Sequence, residues 1–303
     1  MLTRPDIERG AVVDGLLRGA VDLDCQSGPS PVRRAFDHVE AARAAETAGL
    51  RAIVYKDHWY SVTPVAAFLA ASWFRESRLK LISGVVLNTP VGGLNPYAAE
   101  HALMLGGRVV WMPTLSATNH VRQNHRDLRR AAAALSEALN VLTPRWVVKD
   151  EVKEILDQVA KYDAVLAAGH LDISEVLPLF EEARRRGVRR LLVSHPHRYV
   201  EALPDELRAL AAMGAYIAFG PCDDGTGAFD AGMLKEGVAQ AGLGQSILGF
   251  GTLPPGATDR VAAGRAAIEP ALGVGFTPDE VRTMIAINPC RLLGLDSTAT
   301  ETS

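Results

Sequence analysis

Five of the eight histidines in this chain stand at or just past the ends of short apolar runs: His58, His120, His170, His195 and His197. Imidazoles that converge with an amine and carboxylates can ligate a metal or move protons near neutral pH. The amine is Lys56, in Lys56-Asp57-His58-Trp59-Tyr60, directly after Ala52-Ile53-Val54-Tyr55. An amine at the end of a buried strand is partly desolvated, loses basicity and can act as base or nucleophile. Its competing role is an ion pair with Asp22, Asp24 or Asp57. Further carboxylates follow two other runs, in Asp22-Leu23-Asp24-Cys25-Gln26-Ser27-Gly28-Pro29 and in Gly220-Pro221-Cys222-Asp223-Asp224. Trp59, Tyr60 and Trp111 can wall a ligand or serve as ordinary packing. His38 and His101 fall inside helical stretches and are set aside.

These groups need elements that bring several chain segments to one place. Eight short runs rich in Val, Ile and Leu read as buried parallel strands: 19–23, 52–55, 81–87, 109–112, 164–167, 191–194, 215–219 and 246–250. Between them lie stretches with apolar residues at three- and four-residue spacing, among them 37–48, 64–73, 97–105, 174–186 and 205–213. Gly49 and Gly187 read as helix C-caps. Eight strands alternating with helices predict an α/β fold, a closed (β/α)8 TIM barrel, with an open doubly wound sheet as the alternative. In a barrel the functional residues sit where strands end and loops begin. The expected organisation is one domain over 1–303, with an insertion at about 119–153 after the fourth strand and a frayed tail at 297–303. Val147-Val148-Lys149-Asp150 in that insertion reads as a short extra strand.

The bulk numbers bound the class. A chain of 303 residues, 48% hydrophobic and 22% charged, is a globular composition with a full core. A net charge of −3 and a pI near 6.3, without a basic patch, argue against a nucleic-acid partner. The arginine run 184–186 sits at a helix end, where cations complement the helix dipole. No apolar run is long enough to span a bilayer, and the first residues carry no apolar signal core. Three widely separated cysteines, Cys25, Cys222 and Cys290, suit packing in a reducing cytoplasm. The expected partner is a small-molecule substrate. For a soluble oligomer a homodimer is the commonest arrangement. Alanine- and arginine-rich usage points to a bacterial source.

Several segments together resemble the amidohydrolase superfamily of metal-dependent hydrolases, and more closely an amidohydrolase-related bacterial family. They are Val91-Gly92-Gly93-Leu94-Asn95-Pro96, Val110-Trp111-Met112-Pro113-Thr114, Gly169-His170, His195-Pro196 and Asn288-Pro289-Cys290-Arg291-Leu292-Leu293-Gly294-Leu295. The likeness runs from about Leu16 to Leu295. The family pattern has two histidines in its first-strand Asp-Leu-His-Val-His-Ser-Gly-Pro segment. This chain has Asp24 and Gln26 there. The pattern also implies an aspartate after the last strand, where this chain has Gly251 or a neighbour.

The resemblance implies a hydrolase of a cyclic amide, imide or lactone. A divalent metal such as zinc would be held by Asp24, His170 and His195. With two histidines and a carboxylate replaced, the same scaffold can instead run without a cofactor. Histidine, lysine and aspartate would then do acid–base work as a cyclase, lyase, decarboxylase or isomerase. A non-catalytic relative that binds a small molecule is the third reading. The expected catalytic residues are Lys56, His58, Asp24 and His195. The expected substrate contacts are Gln26, Trp59, Trp111, His120, His197 and Asp223.

Overall fold

A computed structural model describes residues 4–124, 137–221, 230–251 and 261–295. Two compact units result: Met1–Tyr55, Phe68–Leu81 and Ala218–Ser303 form the first, and Lys56–Ala67 with Ile82–Ile217 form the second.

In the first unit, strand β1 (Val21–Cys25) runs parallel to β2 (Ala52–Tyr55), with Val21 opposite Ala52. The helix His38–Thr47 connects them. Asp37 caps it by accepting from the Glu40 amide at 2.7 Å, while the Glu40 carboxylate accepts from the Asp37 amide at 2.9 Å. This reciprocal box is the reason the chain turns helical there. Strand β3 (Lys80–Ile82) joins the other edge of β2. The Asn288-Pro289 pair has a structural role. The Asn288 amide is fully buried and donates to the carbonyls of Leu243 and Ser246, at 2.8 and 2.7 Å. It thereby fastens the C-terminal helix Asn288–Leu293 to the start of a strand, Ser246–Leu248.

In the second unit, β4 (Gly84–Val86), β5 (Val109–Trp111), β6 (Val165–Ala167), β7 (Arg190–Ser194) and β8, of which Ala215–Ile217 lie here, follow one another in space as in sequence. Neighbours pair in parallel with a simple register: Val86 opposite Trp111, Trp111 opposite Ala167 and Ala167 opposite Leu192. Every residue of β4, β5 and β6 is buried, as expected of strands covered on both faces. The helix Asp150–Lys161 buries Val152, Ile155, Leu156 and Val159, and Ile173–Arg185 buries Val176, Leu179, Phe180 and Ala183. Those spacings make each helix one-sided, and the burial of these side chains drives the docking.

The predicted third strand, 81–87, is two strands. The chain changes neighbours at Ser83, so that β3 belongs with β2 and β4 with β5. A side chain at Gly84 would sit 1.7 Å from the Val109 carbonyl oxygen, so only glycine lets β4 approach β5 this closely. The extra strand expected at 147–150 does not form. Trp146 adopts φ 60°, and a tight turn links the Trp146 amide to the Thr143 carbonyl at 2.9 Å. That leaves Val148 a single bridge to Leu142, and Asp150 already begins a helix. The Val91–Pro96 segment is a turn and cap: the Asn95 side chain accepts from the amides of Tyr97 and Ala98. The arginine run is likewise structural. Arg186 makes a two-pronged pair with Asp157 at 2.8 and 2.9 Å and binds Glu182 at 2.7 Å. Among the described residues no helix is long and apolar enough to cross a membrane.

Candidate active site

The consecutive strand ends of the second unit carry Asn88 after β4, Thr114 after β5, His170 after β6 and His195 after β7. Lys56 and His58 open the same unit. Lys56 is buried, its Nζ 5.7 Å from the centre of the buried Trp111 ring. This is a cation–π distance.

His170 is the centre of the arrangement. It follows Gly169, which has φ 65°, and a Cβ on Gly169 would meet the carbonyl oxygens of Met112 and Pro113 at 2.3 and 2.4 Å. Glycine therefore sets the close contact between the ends of β5 and β6, and the His170 amide then donates to the Pro113 carbonyl at 2.9 Å. The buried imidazole stacks on Tyr199, with centroids 3.9 Å apart and planes 13° apart. It also stacks on His120 at 4.8 Å, and the two Nδ1 atoms are 2.9 Å apart. His58 lies 6.2 Å away, centroid to centroid. His195 meets Tyr199 edge-on at 5.6 Å. Burial first, then the neighbouring charges of His120, Lys56, His58 and His195, hold His170 well below the ordinary imidazole value of 6.5.

A neutral His170 has a direct consequence. One Nδ1 must donate and the other accept, so a single proton lies between His120 and His170. When both rings are neutral they are opposite tautomers. One then presents an Nε2 lone pair and the other an Nε2–H. The pair thus contains one base and one acid, and passing the shared proton exchanges their roles once the base has gained a proton at Nε2 and the acid has given one up.

The backbone around this pair is braced. His195 is left-handed, with φ 51° and ψ 54°, a conformation that costs a non-glycine residue about 1–3 kcal/mol. It starts the π-helical turn Pro196–Val200, which delivers Tyr199 against His170. The buried Asn119 amide donates to the carbonyls of Tyr199 at 2.6 Å and His170 at 3.4 Å, and its oxygen accepts from Arg122 at 2.7 Å. His58 is set by a second network. Its Nδ1 is 2.7 Å from Thr114 Oγ1, which also receives Asn88 Nδ2 at 2.8 Å.

Of the residues singled out from sequence, Lys56, His58, Trp111, His120, His170 and His195 belong to this unit, as do Trp59 and His197. Trp59 is tied to its own turn, its amide donating to Asp57 Oδ1 at 2.8 Å. His197 lies in the π-helical turn. Asp24 and Gln26 belong to the first unit, where Gln26 Nε2 donates to Asp24 Oδ1 at 3.1 Å. Asp223 and Cys222 lie outside the described residues. Of the expected metal ligands, Asp24 lies in the first unit and His170 and His195 in the second. Among the described residues no three His, Cys, Asp or Glu side chains converge as ligands. His170 meets His120 through Nδ1, so Nε2 is its remaining nitrogen for a ligand or a proton. Asn88, Thr114, Asn119 and Tyr199 were not singled out as site residues from the sequence. The only available hint was that Asn88 and Thr114 follow apolar runs.

Residues 19–218 match the model of a family of unknown function, DUF6282, and the chain belongs to that family. No curated protein matches it. Solved structures do. An amidohydrolase from Pseudomonas aeruginosa is 12% identical with a TM-score of 0.63, over 94% of this chain and 97% of that one. An organophosphate-hydrolysing protein engineered from a weak promiscuous lactonase template is 13% identical with a TM-score of 0.56, over 91% and 96%. A 2,6-dihydroxybenzoate decarboxylase is 12% identical with a TM-score of 0.54, over 91% and 99%. At such identities the likeness carries the fold, which is the amidohydrolase-like (β/α)8 barrel expected from the sequence.

Proposed function

We propose that this chain is an amidohydrolase-like enzyme that opens a cyclic amide, imide or lactone by acid–base catalysis. The observation that carries this reading is the 2.9 Å Nδ1 to Nδ1 contact between His120 and a His170 kept neutral by burial. The Nε2 lone pair of one ring takes a proton from water as the water oxygen bonds to the carbonyl carbon. The Nε2–H of the other ring gives a proton to the leaving nitrogen or oxygen as the ring bond breaks. The proton between the two Nδ1 atoms moves across, so both rings end neutral with acid and base exchanged. A proton passed between the two Nε2 positions through water, with the Nδ1 proton returning, restores the starting pair, and the net reaction adds one water. Positioned acid–base groups contribute roughly 10²- to 10⁴-fold each. Lys56, buried beside Trp111, supplies N–H donors for the oxygen that gains charge. The lactonase and amidohydrolase neighbours support carbonyl hydrolysis on this scaffold.

A second reading is a lyase, decarboxylase, cyclase or isomerase. The shared proton favours it too, because one pair can both take and return a proton at a single substrate without water. The decarboxylase neighbour gives that reading a precedent.

Turnover of a panel of cyclic amides, imides and lactones in H2 18O tests both. The expected result is one 18O per product, with kcat reduced about 100-fold or more in His170→Ala and in His120→Ala. Turnover without 18O would favour the second reading. Turnover indifferent to both substitutions, or none across the panel, would overturn the proposal.

A further inference from the structure

Asn88 and Thr114, each only 1% exposed, stand side by side beyond β4 and β5. The orientation of the Asn88 amide is fixed by its surroundings. Its Oδ1 accepts from the amides of Thr114 at 2.8 Å and Ser116 at 3.1 Å, and a backbone N–H can only donate. The nitrogen must therefore face the other way. Nδ2 donates one hydrogen to the His58 carbonyl at 3.0 Å and the other to Thr114 Oγ1 at 2.8 Å. All the polar capacity of Asn88 is thus used in one arrangement, and Thr114 is an acceptor towards Asn88.

The Thr114 hydroxyl keeps its own hydrogen, and the one further described partner of Oγ1 is His58 Nδ1, at 2.7 Å. If His58 Nδ1 carried a proton, the hydroxyl would accept twice and its buried hydrogen would have no described acceptor. Leaving a buried donor unmet disfavours that state by roughly tenfold or more. The hydroxyl therefore donates to Nδ1, and the ring proton sits on Nε2.

We propose that Asn88 and Thr114 are positioning residues that lock neutral His58 as its Nε2–H tautomer, so that the outer nitrogen of His58 is a proton donor and not a base. Taken with the acid–base reading above, on which this role rests, His58 holds the substrate oxygen while the His120–His170 pair moves the proton. The tautomer itself stands on the hydrogen bonds alone. It makes the outer nitrogen directional: as Nε2–H it can donate to a carbonyl or carboxylate oxygen and cannot accept from an N–H.

Long-range 1H–15N NMR of the full chain labelled at histidine reads the tautomer directly, at a pH where His58 is neutral. His58→Gln assigns the signals. The wild-type chain is expected to show one tautomer, with Nε2 protonated. In Asn88→Asp the new carboxylate takes the Thr114 hydrogen, Oγ1 becomes an acceptor for the ring, and His58 turns to Nδ1–H. In Thr114→Val the single tautomer gives way to averaged shifts, and Thr114→Ser restores it. If Asn88→Asp does not fold, the Val and Ser variants decide. An Nδ1–H signature in the wild-type chain, an Nε2–H signature unmoved in every folded variant, or a Thr114→Ser variant that fails to restore it overturns the proposal. These spectra need no turnover. A correct tautomer with no hydrolysis would sink the proposed function alone, and hydrolysis with the wrong tautomer would sink this proposal alone.

Discussion

His120 and His170 meet through identical atoms, Nδ1 to Nδ1 at 2.9 Å, so this contact has room for one proton. Two would face each other and break it. Burial and the surrounding His120, Lys56, His58 and His195 oppose a charge on His170 in the folded chain. The unfolded chain protonates this residue at the ordinary value near 6.5. Below that value the unfolded state binds the extra proton and the folded state does not, so stability falls as pH drops towards the lowered value of His170. The slope contributed by this one group approaches about 1.4 kcal/mol per pH unit. Urea midpoints measured from pH 8 to pH 5 should show the fall, and His170→Gln should make it shallower. Equal slopes in the two proteins would contradict a neutral His170.

Gly169 governs the same imidazole from behind. Alanine there would place a methyl 2.3 Å from the Met112 carbonyl oxygen while φ stays at 65°. The backbone must shift where β5 and β6 end, at a cost of about 2–4 kcal/mol in strain and overpacking. Gly169→Ala should lower Tm by roughly 5 °C or more. It should also weaken turnover beyond what its loss of stability explains, because His170 moves relative to His120. A variant with unchanged Tm would show that the close approach is not needed.

The strand pattern and most helices could be read from the sequence because burial imprints period and composition on it. Val109-Val110-Trp111 and Val165-Leu166-Ala167 are wholly apolar because both faces are covered. The Asp37 and Glu40 spacing announces its cap. The break at Ser83 could not be read, since it depends on how closely Gly84 approaches Val109. The site divides in the same way. His58, His170 and His195 are visible because they follow apolar runs. Thr114 gains its role from bonds to residues 26 and 56 positions away, Asn88 and His58, which no local pattern encodes. Tyr199 depends on the left-handed turn at His195, and a lone tyrosine after His-Pro-His gives no sign of it. Asp24 and Gln26 stand out in the sequence only by resemblance, and the hydrogen bond from the Gln26 amide to Asp24 has no signature there.

Asn119 braces two carbonyls at once, those of Tyr199 and His170, and Arg122 braces Asn119. Asn119→Ala leaves buried acceptors unmet, which costs about 1–3 kcal/mol. Arg122 is largely exposed and also pairs with Glu201 at 2.6 Å, so Arg122→Ala alone should cost no more than about 1 kcal/mol. The two losses should not add. A double-mutant cycle on urea unfolding is expected to give a coupling of about 0.5 kcal/mol or more. Strict additivity would mean that Arg122 does not act through Asn119.

The last prediction separates proton chemistry from metal chemistry. A metal bound to the folded chain alone would stabilise it by about 2.7 kcal/mol at a hundredfold excess over Kd, a shift visible in Tm. The described donors do not converge in threes, and the acid–base reading keeps Nε2 of His170 for the proton. Zinc, manganese or cobalt added to the purified chain should therefore leave Tm unchanged, and a chelator should leave both Tm and turnover unchanged. Inductively coupled plasma analysis supplies the converse. One transition metal per chain that disappears in His170→Ala would place an ion at Nε2 of His170, the atom that the proton transfer needs, and with it the acid–base pair would fall. Trace metal that survives His170→Ala would leave the pair intact.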